Sequence, residues 1–337
     1  MSSAGIRDVA RLAEVSTATV SRVLNGTARV NQETKKRVLA ACAELDYSPN
    51  TMAQRLSLGR TNTISAVLPF LTLPSIVERL RGIQEVLSES NYDLVPFSVG
   101  SPEQRDKYLA DLSRKSRTDG LLIISMPPTK DHVDRLIKLH MPTVLVDAFH
   151  PNLNRVNVDD IAGGRLATQY LIDLGHRRIA FISDHFDTPL SFSSMRERYQ
   201  GFCETMNESD LTCYPAYFCQ GEHGREFARE LGLKLLRMQN PPTAIFAASD
   251  TQAIGVLDAA RELNINVPDQ LSVIGYDDIR DAEYVNLTTI KQPLLELGIK
   301  GAELLLKIIP EPQSSPIEIT LPLELIIRKT TAPPPTH

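Results

Sequence analysis

The chain has 337 residues, of which 42% are hydrophobic and 23% are charged, an ordinary composition for a globular protein of two or three domains. No apolar run approaches the ~20 residues that cross a membrane, and no basic and then apolar secretion signal opens the sequence, so we expect a cytoplasmic protein. Residues 1–60 hold nine Lys and Arg against five Asp and Glu, and the remainder holds 27 against 36, a contrast typical of a DNA-binding module joined to a domain that does not bind DNA.

Residues 6–26 predict two short helices joined by a tight turn. Helical spacing gives the first helix an apolar face, which comprises Val9, Ala10, Leu12 and Ala13. Ser16 is a suitable N-cap for the second helix, because its hydroxyl can accept a hydrogen bond from an amide of the first turn.

The second helix places Val20, Val23 and Leu24 on its inner side. Its outer stripe is small and polar with one long cation, as a helix in a DNA major groove requires, and comprises Thr17, Ala18, Ser21, Arg22 and Asn25. From this stretch alone, a pair of small surface helices is the alternative interpretation.

The order DVA, A-x-VS and TVSRVLN closely resembles the N-terminal signature of the LacI/GalR family of bacterial transcription regulators. The resemblance implies that the second helix reads DNA. From side-chain chemistry, we expect Thr17 and Ala18 to offer methyl contacts to thymine and Arg22 to favour a guanine edge. Glu14 stands in the turn, where the family often has glycine. If the backbone there is left-handed, a side chain destabilises the turn by about 1 kcal/mol.

A third helix is predicted over residues 32–47, with a buried side of Val38, Leu39, Cys42 and Leu45. The three cations at 35–37 are placed to meet DNA phosphates or form a solvated surface cluster.

Residues 51–59 form a candidate short helix that is too short to hold alone in water. By resemblance it is the hinge helix of the family, since the pattern P-N-x-x-A-x-x-L is present with Asn50, Ala53 and Leu56. The resemblance implies that this helix folds on DNA beside its twin. Leu56 would then insert into the minor groove and kink the duplex, and Ala53 would let the two helices approach.

From residue 62, short apolar runs alternate with amphipathic stretches. Buried strands are predicted at 64–69, 93–99, 119–126, 143–147, 178–183, 216–220, 243–249 and 271–278. Repeated strand–helix alternation predicts doubly wound parallel sheets, and two sets in succession predict two lobes with a cleft between them. The motifs SFSSMRERYQGF, PPTAIFAASDTQAIG, NVPDQLSVIGYDD and LTTIKQP resemble the effector domain of the same family.

The predicted fold class is therefore α/β with three segments. These are a three-helix helix-turn-helix domain (1–48), a hinge helix and linker (49–61) and a bilobed, periplasmic-binding-protein-like effector domain (62–337). Lobe 1 is predicted at about 62–160 plus 291–322, and lobe 2 at about 161–290 plus 323–337.

Polar residues at the predicted strand ends are candidates for ligand contacts. Asp147, Ser249 and Asp277 close three strands, and Arg198 begins the RYQG turn of a helix. Two carboxylates and an arginine can hold adjacent sugar hydroxyls through charge-assisted hydrogen bonds. The alternative is that each residue caps a helix or forms an internal ion pair, and Asp250 is interpreted as such an N-cap.

Two departures from the family concern the ligand. Ser75-Ile76 replaces a pair of aromatic residues, which predicts weaker stacking on a flat purine or a pyranose. AEYVNLTT lacks the Pro-Pro that usually precedes LTT, which predicts a shortened loop near the crossover between lobes.

Other classes of protein find little support. No P-loop, GxGxxG after a strand, or GxSxG is present, so we expect no enzyme and no cofactor. The cysteines show no CxxC pair and the histidines no metal-ligand spacing, so no metal is expected. Cys213 and Cys219 are near enough in sequence for contact in space to be open, and reduced thiols are expected there rather than a disulfide. A solute-binding protein would share the bilobed fold but lack the helix-turn-helix.

The sequence thus predicts a cytoplasmic transcription regulator, most simply a repressor, that acts as a homodimer on double-stranded operator DNA. We expect control by a small-molecule effector, with a sugar favoured and a nucleoside or purine as the alternative, and no membrane partner. The effector could release DNA or promote its binding, since both signs occur on this architecture.

Overall fold

The structure is a computed structural model that describes residues 5–25, 30–47, 61–114, 116–187, 189–190, 192–311 and 315–335. The chain forms two compact units, residues 1–62 and 63–337. The predicted hinge residues Asn50, Ala53 and Leu56 lie outside the described residues.

The N-terminal unit contains three helices: α1 (Ile6–Leu12), α2 (Thr17–Asn25) and α3 (Gln32–Glu44). Ser16 caps α2 as predicted, because its Oγ accepts the amide of Thr19 at 3.1 Å. The buried apolar side chains of this unit are those of Val9, Ala10, Ala13, Val20, Val23, Val38 and Ala41.

Two leucines predicted for this core were assigned wrongly. Leu12 is 43% exposed and Leu39 is 48% exposed. The buried stripe of α1 runs through residues 6, 9, 10 and 13 and that of α3 through 38, 41, 42 and 45. Both stripes follow the i, i+3, i+4, i+7 spacing of one helix face, and each leucine lies one position outside it. Helix α3 also ends at Glu44 rather than residue 47.

The turn between α1 and α2 holds Glu14 with φ of 53°. This is the left-handed region that disfavours residues with a side chain. The backbone at Glu14 is therefore left-handed, and the turn carries a strain that glycine would relieve.

The second unit is built on two six-stranded sheets. The strands are β1 (Thr63–Pro69), β2 (Asp93–Val99), β3 (Gly120–Ile124), β4 (Thr143–Val146), β5 (Asn154–Asn157), β6 (Ile179–Asp184), β7 (Phe218–Gly221), β8 (Ala244–Ala247), β9 (Ser272–Asp277), β10 (Thr288–Lys291), β11 (Glu318–Thr320) and β12 (Glu324–Ile326). The sheet orders are β11-β5-β4-β3-β1-β2 and β12-β10-β9-β8-β6-β7. All pairings are parallel except that of β10 with β12. The predicted fold class is confirmed.

Helices cover the sheets, and apolar clusters lie beneath them. The helices are α4 (Pro74–Ser88), α5 (Pro102–Leu112), α6 (Lys130–Lys138), α7 (Asp160–Asp173), α8 (Ser194–Glu208), α9 (Arg225–Leu236), α10 (Asp250–Glu262), α11 (Arg280–Tyr284) and α12 (Leu294–Ile308). Within the described residues, no helix combines the length and apolar character needed to cross a membrane.

Three details of the sequence interpretation need correction. Strand β2 is an edge strand, so most of its residues are exposed or half-buried rather than buried. The segment predicted as a strand from residue 216 begins with a 3-10 turn (Pro215–Tyr217), and β7 starts at Phe218. Cys213 lies beside Cys203, not beside Cys219, which is buried in the core.

Helices α7 and α8 approach closely because glycines stand at their contact. A Cβ on Gly164 would lie 2.2 Å from the carbonyl oxygen of Arg198, and a Cβ on Gly201 would lie 2.1 Å from that of Ile161. Only hydrogen fits in these gaps, so the two backbones can touch. This contact brings Arg198 of α8 to Asp160 at the start of α7.

Candidate functional site

The outer face of α2 presents the predicted DNA-reading residues. Thr17, Ala18 and Arg22 are exposed, Ser21 is half-buried, and Asn25 is the last residue of the helix. The opposite face packs into the small core of the unit through Val20 and Val23. The helix therefore offers a narrow stripe with one cation that can enter a groove.

A cavity of about 470 Å³ lies between the two sheets of the second unit. Its wall is formed at the carboxyl ends of strands from both sheets, where ligands of open α/β sheets bind. The four residues that the sequence singled out, Asp147, Arg198, Ser249 and Asp277, all line it.

Arg198 is buried in the wall of the second lobe, with 2% of its surface exposed. Its Nε donates to Asp160 Oδ1 at 2.7 Å, and its NH1 donates to the carbonyl of Ala248 at 2.6 Å. The guanidinium lies 3.7 Å from the ring centre of Tyr276 and 3.8 Å from Asp277 Oδ1. These contacts fix the orientation of the cation before any ligand enters.

Asp160 was missed by the sequence analysis, because nothing distinguishes it from its neighbour Asp159. It is 5% exposed. Burial raises its pKa to about 6, and the charge of Arg198 opposes this rise. The 2.7 Å contact with Nε of Arg198 is the ion pair that compensates the burial of the Asp160 carboxylate.

The first lobe contributes a second buried ion pair. Arg79 donates to Asp147 Oδ2 at 2.7 Å, and the Ser125 hydroxyl donates to the same oxygen at 2.9 Å. Arg79 has 2% of its surface exposed, and its Nε has no hydrogen-bond partner in the described part of the chain. A signal for Arg79 was present in the sequence, since it shares the apolar face of α4 with Ile76 and Ile83.

Gln292 joins the two ion pairs. Its Oε1 accepts from Arg79 at 3.2 Å, and its Nε2 donates to Asp277 Oδ1 at 2.5 Å. Burial raises the pKa of Asp277, against the lowering effects of Arg198 and Arg79. A continuous polar network thus crosses from one lobe to the other beneath the cavity.

Ser249 has a structural role as well as a place in the wall. Its Oγ accepts the amide of Gln252 at 3.3 Å and so caps α10. The interpretation of Asp250 as the cap was wrong. Asp250 is fully buried, accepts the amide of Ile279 at 2.9 Å and the hydroxyl of Thr289 at 2.6 Å, and has its pKa raised by burial.

A second candidate recognition group, missed from the sequence, is His223. Its Nδ1 is 2.9 Å from Asp184 Oδ2, and Asp184 Oδ1 accepts from Gln252 at 2.7 Å. Burial opposes protonation, but the hydrogen bond to Asp184 outweighs it with the help of nearby carboxylates, so the pKa of His223 is raised. With Nδ1 engaged, Nε2 is the ring atom left to meet a ligand.

Aromatic rings also line the cavity, contrary to what Ser75-Ile76 implied. Phe70 follows β1 and Phe192 precedes α8, and their ring centres are 6.1 Å apart. Aromatic rings therefore line the cavity from other positions, and Phe192 packs against the apolar cluster of the first sheet.

The charged side chains described in the lining include Asp147, Asp184, Glu222 and Asp277, against Arg79 and Arg198. Both guanidiniums already bond carboxylates, so a further anion would be poorly accommodated. Hydroxyl groups suit this wall because they donate to carboxylates and accept from the guanidinium. Within the described residues, no group of three or more His, Cys, Asp and Glu is arranged to hold a metal ion.

Comparison with known proteins agrees with both halves of the chain. Residues 5–50 match the bacterial regulatory proteins of the lacI family, and residues 168–331 match the periplasmic binding protein-like domain. The chain is 35% identical to the HTH-type transcriptional repressor PurR of Histophilus somni (strain 2336) over 332 residues, which cover 97% of this chain and 98% of that protein.

Solved structures give the same result. The Lac repressor dimer bound to operator and the anti-inducer ONPF is similar with a TM-score of 0.86 and 28% identity, over 98% of this chain and 100% of that one. A complex of the transcriptional regulator CelR with cellobiose is similar with a TM-score of 0.71 and 28% identity, over 97% and 99%.

Proposed function

Because the chain belongs to the lacI family of bacterial regulatory proteins and is a DNA-binding transcriptional repressor, we propose that a small-molecule effector in the cavity between its lobes controls its operator affinity. The observation that carries this proposal is Arg198, held by Asp160 and close to Asp277 in the cavity wall. In the proposed division, residues 1–48 read DNA, 49–61 form the hinge, and 62–337 bind effector and dimerise.

The proposed base-reading residues are Thr17, Ala18, Ser21, Arg22 and Asn25. The exposure of Thr17, Ala18 and Arg22 supports this role, and Arg22 suits a guanine edge. Operator selection from a randomised duplex library should give a near-palindromic site for the wild type, since a two-fold dimer reads two equivalent half-sites.

Arg22→Ala should lose the guanine preference at one position of each half-site, at a discrimination of about 1–3 kcal/mol. Arg11→Ala is the matched control, because Arg11 is an exposed arginine of α1 that pairs with Asp8 at 2.7 Å. Unchanged affinity and sequence preference in Arg22→Ala would remove Arg22 from the reading residues.

The proposed hinge contacts are Asn50, Ala53 and Leu56, with Leu56 as the residue that kinks the duplex. Leu56→Ala should bind the selected operator more weakly and bend it less, as measured by the mobility of circularly permuted DNA fragments. Normal bending by this variant would contradict the insertion of Leu56.

A homodimer is proposed because two-fold symmetry matches a palindromic site, and a surface groove of mixed character is available to form it. Tyr284 is 69% exposed and Val285 is 36% exposed, in a groove whose other lining residues are apolar (Ile254 and Leu257) or charged (Arg225, Asp258, Arg261 and Asp281). Sedimentation should give a dimer for the wild type, and Tyr284→Asp should shift it toward monomer. A monomeric wild type at micromolar concentration would contradict this part of the proposal.

The proposed effector is a neutral sugar. Carboxylates and oriented guanidiniums on both sides of the cavity suit adjacent hydroxyls, and Phe70 and Phe192 can cover an apolar sugar face. The excess of carboxylates in the described lining disfavours sugar phosphates. The similar CelR structure is a complex with cellobiose.

A purine is the second candidate. It is favoured by the similarity to the PurR repressor, and the two phenylalanine rings offer faces to a flat base. A purine would require the polar wall to form hydrogen bonds with ring nitrogens rather than with hydroxyl groups. Binding measurements with sugars and with purines therefore distinguish the two candidate classes of effector.

A thermal-melt screen tests the proposal, with a panel of cellobiose, ribose, other neutral sugars, their phosphates, adenine, guanine and adenosine. A ligand at about 100 times its dissociation constant adds about 2.7 kcal/mol, which raises the melting temperature by several degrees. Neutral sugars should give the shift, and Asp277→Asn and Arg198→Ala should abolish it while circular dichroism still reports folded protein. A shift with purines alone would replace the sugar by the second candidate.

A further inference from the structure

Two of the four cysteines lie together at the surface of the second lobe. Cys203 is on α8 and Cys213 is ten positions later, in the segment that follows the helix, and their sulfur atoms are 3.0 Å apart. Both side chains are half-buried. Small rotations about the side-chain bonds would bring such sulfur atoms to bonding distance, and solvent reaches both.

The other two cysteines differ in position. Cys42 is on α3 of the N-terminal unit, and Cys219 is a residue of β7 that is 4% exposed and faces the core. Within the described residues, neither forms a hydrogen bond with another thiol, and burial raises the pKa of each. Cys203 and Cys213 therefore form a thiol pair, and Cys42 and Cys219 can serve as internal controls for its reactivity.

The surroundings of the pair make its two members unequal. Hydrogen bonds from Cys213 and from the hydroxyl of Tyr199, against an opposing effect of burial, lower the pKa of Cys203 to about 7. The same bond from Cys213 to Cys203 raises the pKa of Cys213. Cys203 is thus the nucleophile of the pair at neutral pH, and Cys213 is a protonated neighbour.

We propose that Cys203 and Cys213 form an oxidation site for hydroperoxides, at which Cys203 reacts first and Cys213 closes a disulfide within the lobe. The Cys203 thiolate attacks the outer peroxide oxygen, the O–O bond breaks, and the other oxygen takes a proton and leaves as water or an alcohol. Cys203 is then a sulfenic acid. The Cys213 sulfur attacks the Cys203 sulfur, and the hydroxyl leaves as water with the proton of Cys213. Two electrons pass from the thiols to the peroxide.

The disulfide would act on the helix that carries Arg198. It would tie α8 to the segment after its C-terminal end and restrict the unfolded chain, so the oxidised protein should melt at a higher temperature. The proposal does not depend on the identity of the effector, because the thiols lie outside the lining of the cavity.

The test uses the full chain, fully reduced and then exposed in its native state to a small excess of hydrogen peroxide at pH 7.5. We expect two of the four thiols to disappear, the mass to fall by that of two hydrogen atoms, and peptide mapping to find Cys203 linked to Cys213. Dithiothreitol should restore all four thiols. The melting temperature should rise by several degrees on oxidation and return on reduction.

Single substitutions separate the roles. Cys203→Ser should leave Cys213 unreactive, and Cys213→Ser should leave a Cys203 sulfenic acid that dimedone traps. Cys42→Ser and Cys219→Ser are the matched controls and should form the disulfide at the wild-type rate. In the wild type, Cys203 should react at least about tenfold faster than Cys42, in line with its larger thiolate fraction.

Three results would overturn the proposal. The first is oxidation of Cys42 at the rate of Cys203, and the second is a disulfide that appears only between chains. The third is a wild-type Cys203 that proceeds to sulfinic acid while Cys213 stays reduced. All three results are measured on the native wild-type protein. The test therefore stays decisive even if one of the substituted variants fails to fold.

Discussion

Replacing Arg79 by methionine tests how the cavity wall is held together. The Arg79 side chain is 3% exposed and bonds Asp147 at 2.7 Å and Gln292 at 3.2 Å. Methionine keeps an unbranched, flexible side chain and a helix propensity close to that of arginine, but it is shorter and carries no charge. The Asp147 carboxylate, 8% exposed, would then keep the Ser125 hydroxyl but lose its cation. Removal of one partner of a buried ion pair destabilises by about 3–5 kcal/mol, and we expect the free energy of unfolding to fall by that amount.

The assay is urea unfolding of the full chain, followed by circular dichroism. Arg81→Met is the matched control, because Arg81 lies on the same helix, is 64% exposed and pairs with Glu78 at 2.8 Å. An exposed pair of this kind contributes at most about 1 kcal/mol. Both variants replace arginine by methionine on the same helix. The difference between their free energies of unfolding therefore reports the effect of burying the charge.

The double variant Arg79→Met/Asp147→Asn sharpens the test. Asparagine tolerates the left-handed backbone of Asp147, whose φ is 55°, and it leaves no unpaired charge in the wall. We expect the double variant to be more stable than Arg79→Met alone. Two results would refute the hypothesis that Arg79 stabilises the fold by neutralising the buried Asp147 carboxylate. One is an Arg79→Met variant no less stable than Arg81→Met, and the other is a double variant less stable than Arg79→Met alone.

Three more predictions follow from single residues. Glu14→Gly should stabilise the N-terminal unit by about 1 kcal/mol, because Glu14 has a φ of 53°, and slower amide hydrogen exchange in its helices would report this. His223 has a raised pKa, so it contributes stability that is present below its unfolded pKa near 6.5 and is lost as pH rises through the folded value. Urea unfolding between pH 6 and 8 should therefore show a flatter pH dependence of the unfolding free energy in His223→Gln than in the wild type. Gly201→Ala should lower the free energy of unfolding in urea by about 1–3 kcal/mol, although alanine favours helices, because its Cβ would lie 2.1 Å from a backbone oxygen. The control Gly100→Ala should change little, because its Cβ would meet only a flexible side chain at 3.4 Å.

Local pattern was sufficient to predict the long elements. The apolar runs at 64–69 and 119–126 became β1 and β3, buried along nearly their whole length, because a central strand covered on both faces needs an unbroken apolar sequence. The same reasoning overestimated the burial of β2, because position at a sheet edge is set by distant pairing and leaves no trace in seven residues.

Short strands show the limit of such patterns most clearly. Strands β11 and β12 are three residues each, and their sequences EIT and ELI have no period to detect. They exist because β5 and β10 offer free edges to the returning chain. Tertiary pairing rather than propensity decides their structure.

The candidate site divides in the same way. Asp147, Ser249 and Asp277 were predicted because each follows an apolar strand, and the strand ends of two parallel sheets converge on one cavity. Their partners were not predicted from local sequence, since Asp160 meets Arg198 across 38 positions and Gln292 meets Arg79 across 213. Only the folded chain brings these residues together.

Gln292 gives a physical reason why a ligand in the cavity would act on the lobes and not only on its own contacts. The amide lies just after β10, where the chain passes from the second sheet toward α12, and it bonds Arg79 of one lobe and Asp277 of the other. A change in lobe separation must lengthen one of these bonds. A ligand that bonds Asp277 or Asp147 competes for the same oxygens and guanidiniums, so its binding energy differs between lobe arrangements. Such a difference is what coupling requires, and by linkage DNA bound to one arrangement must change effector affinity by the same factor.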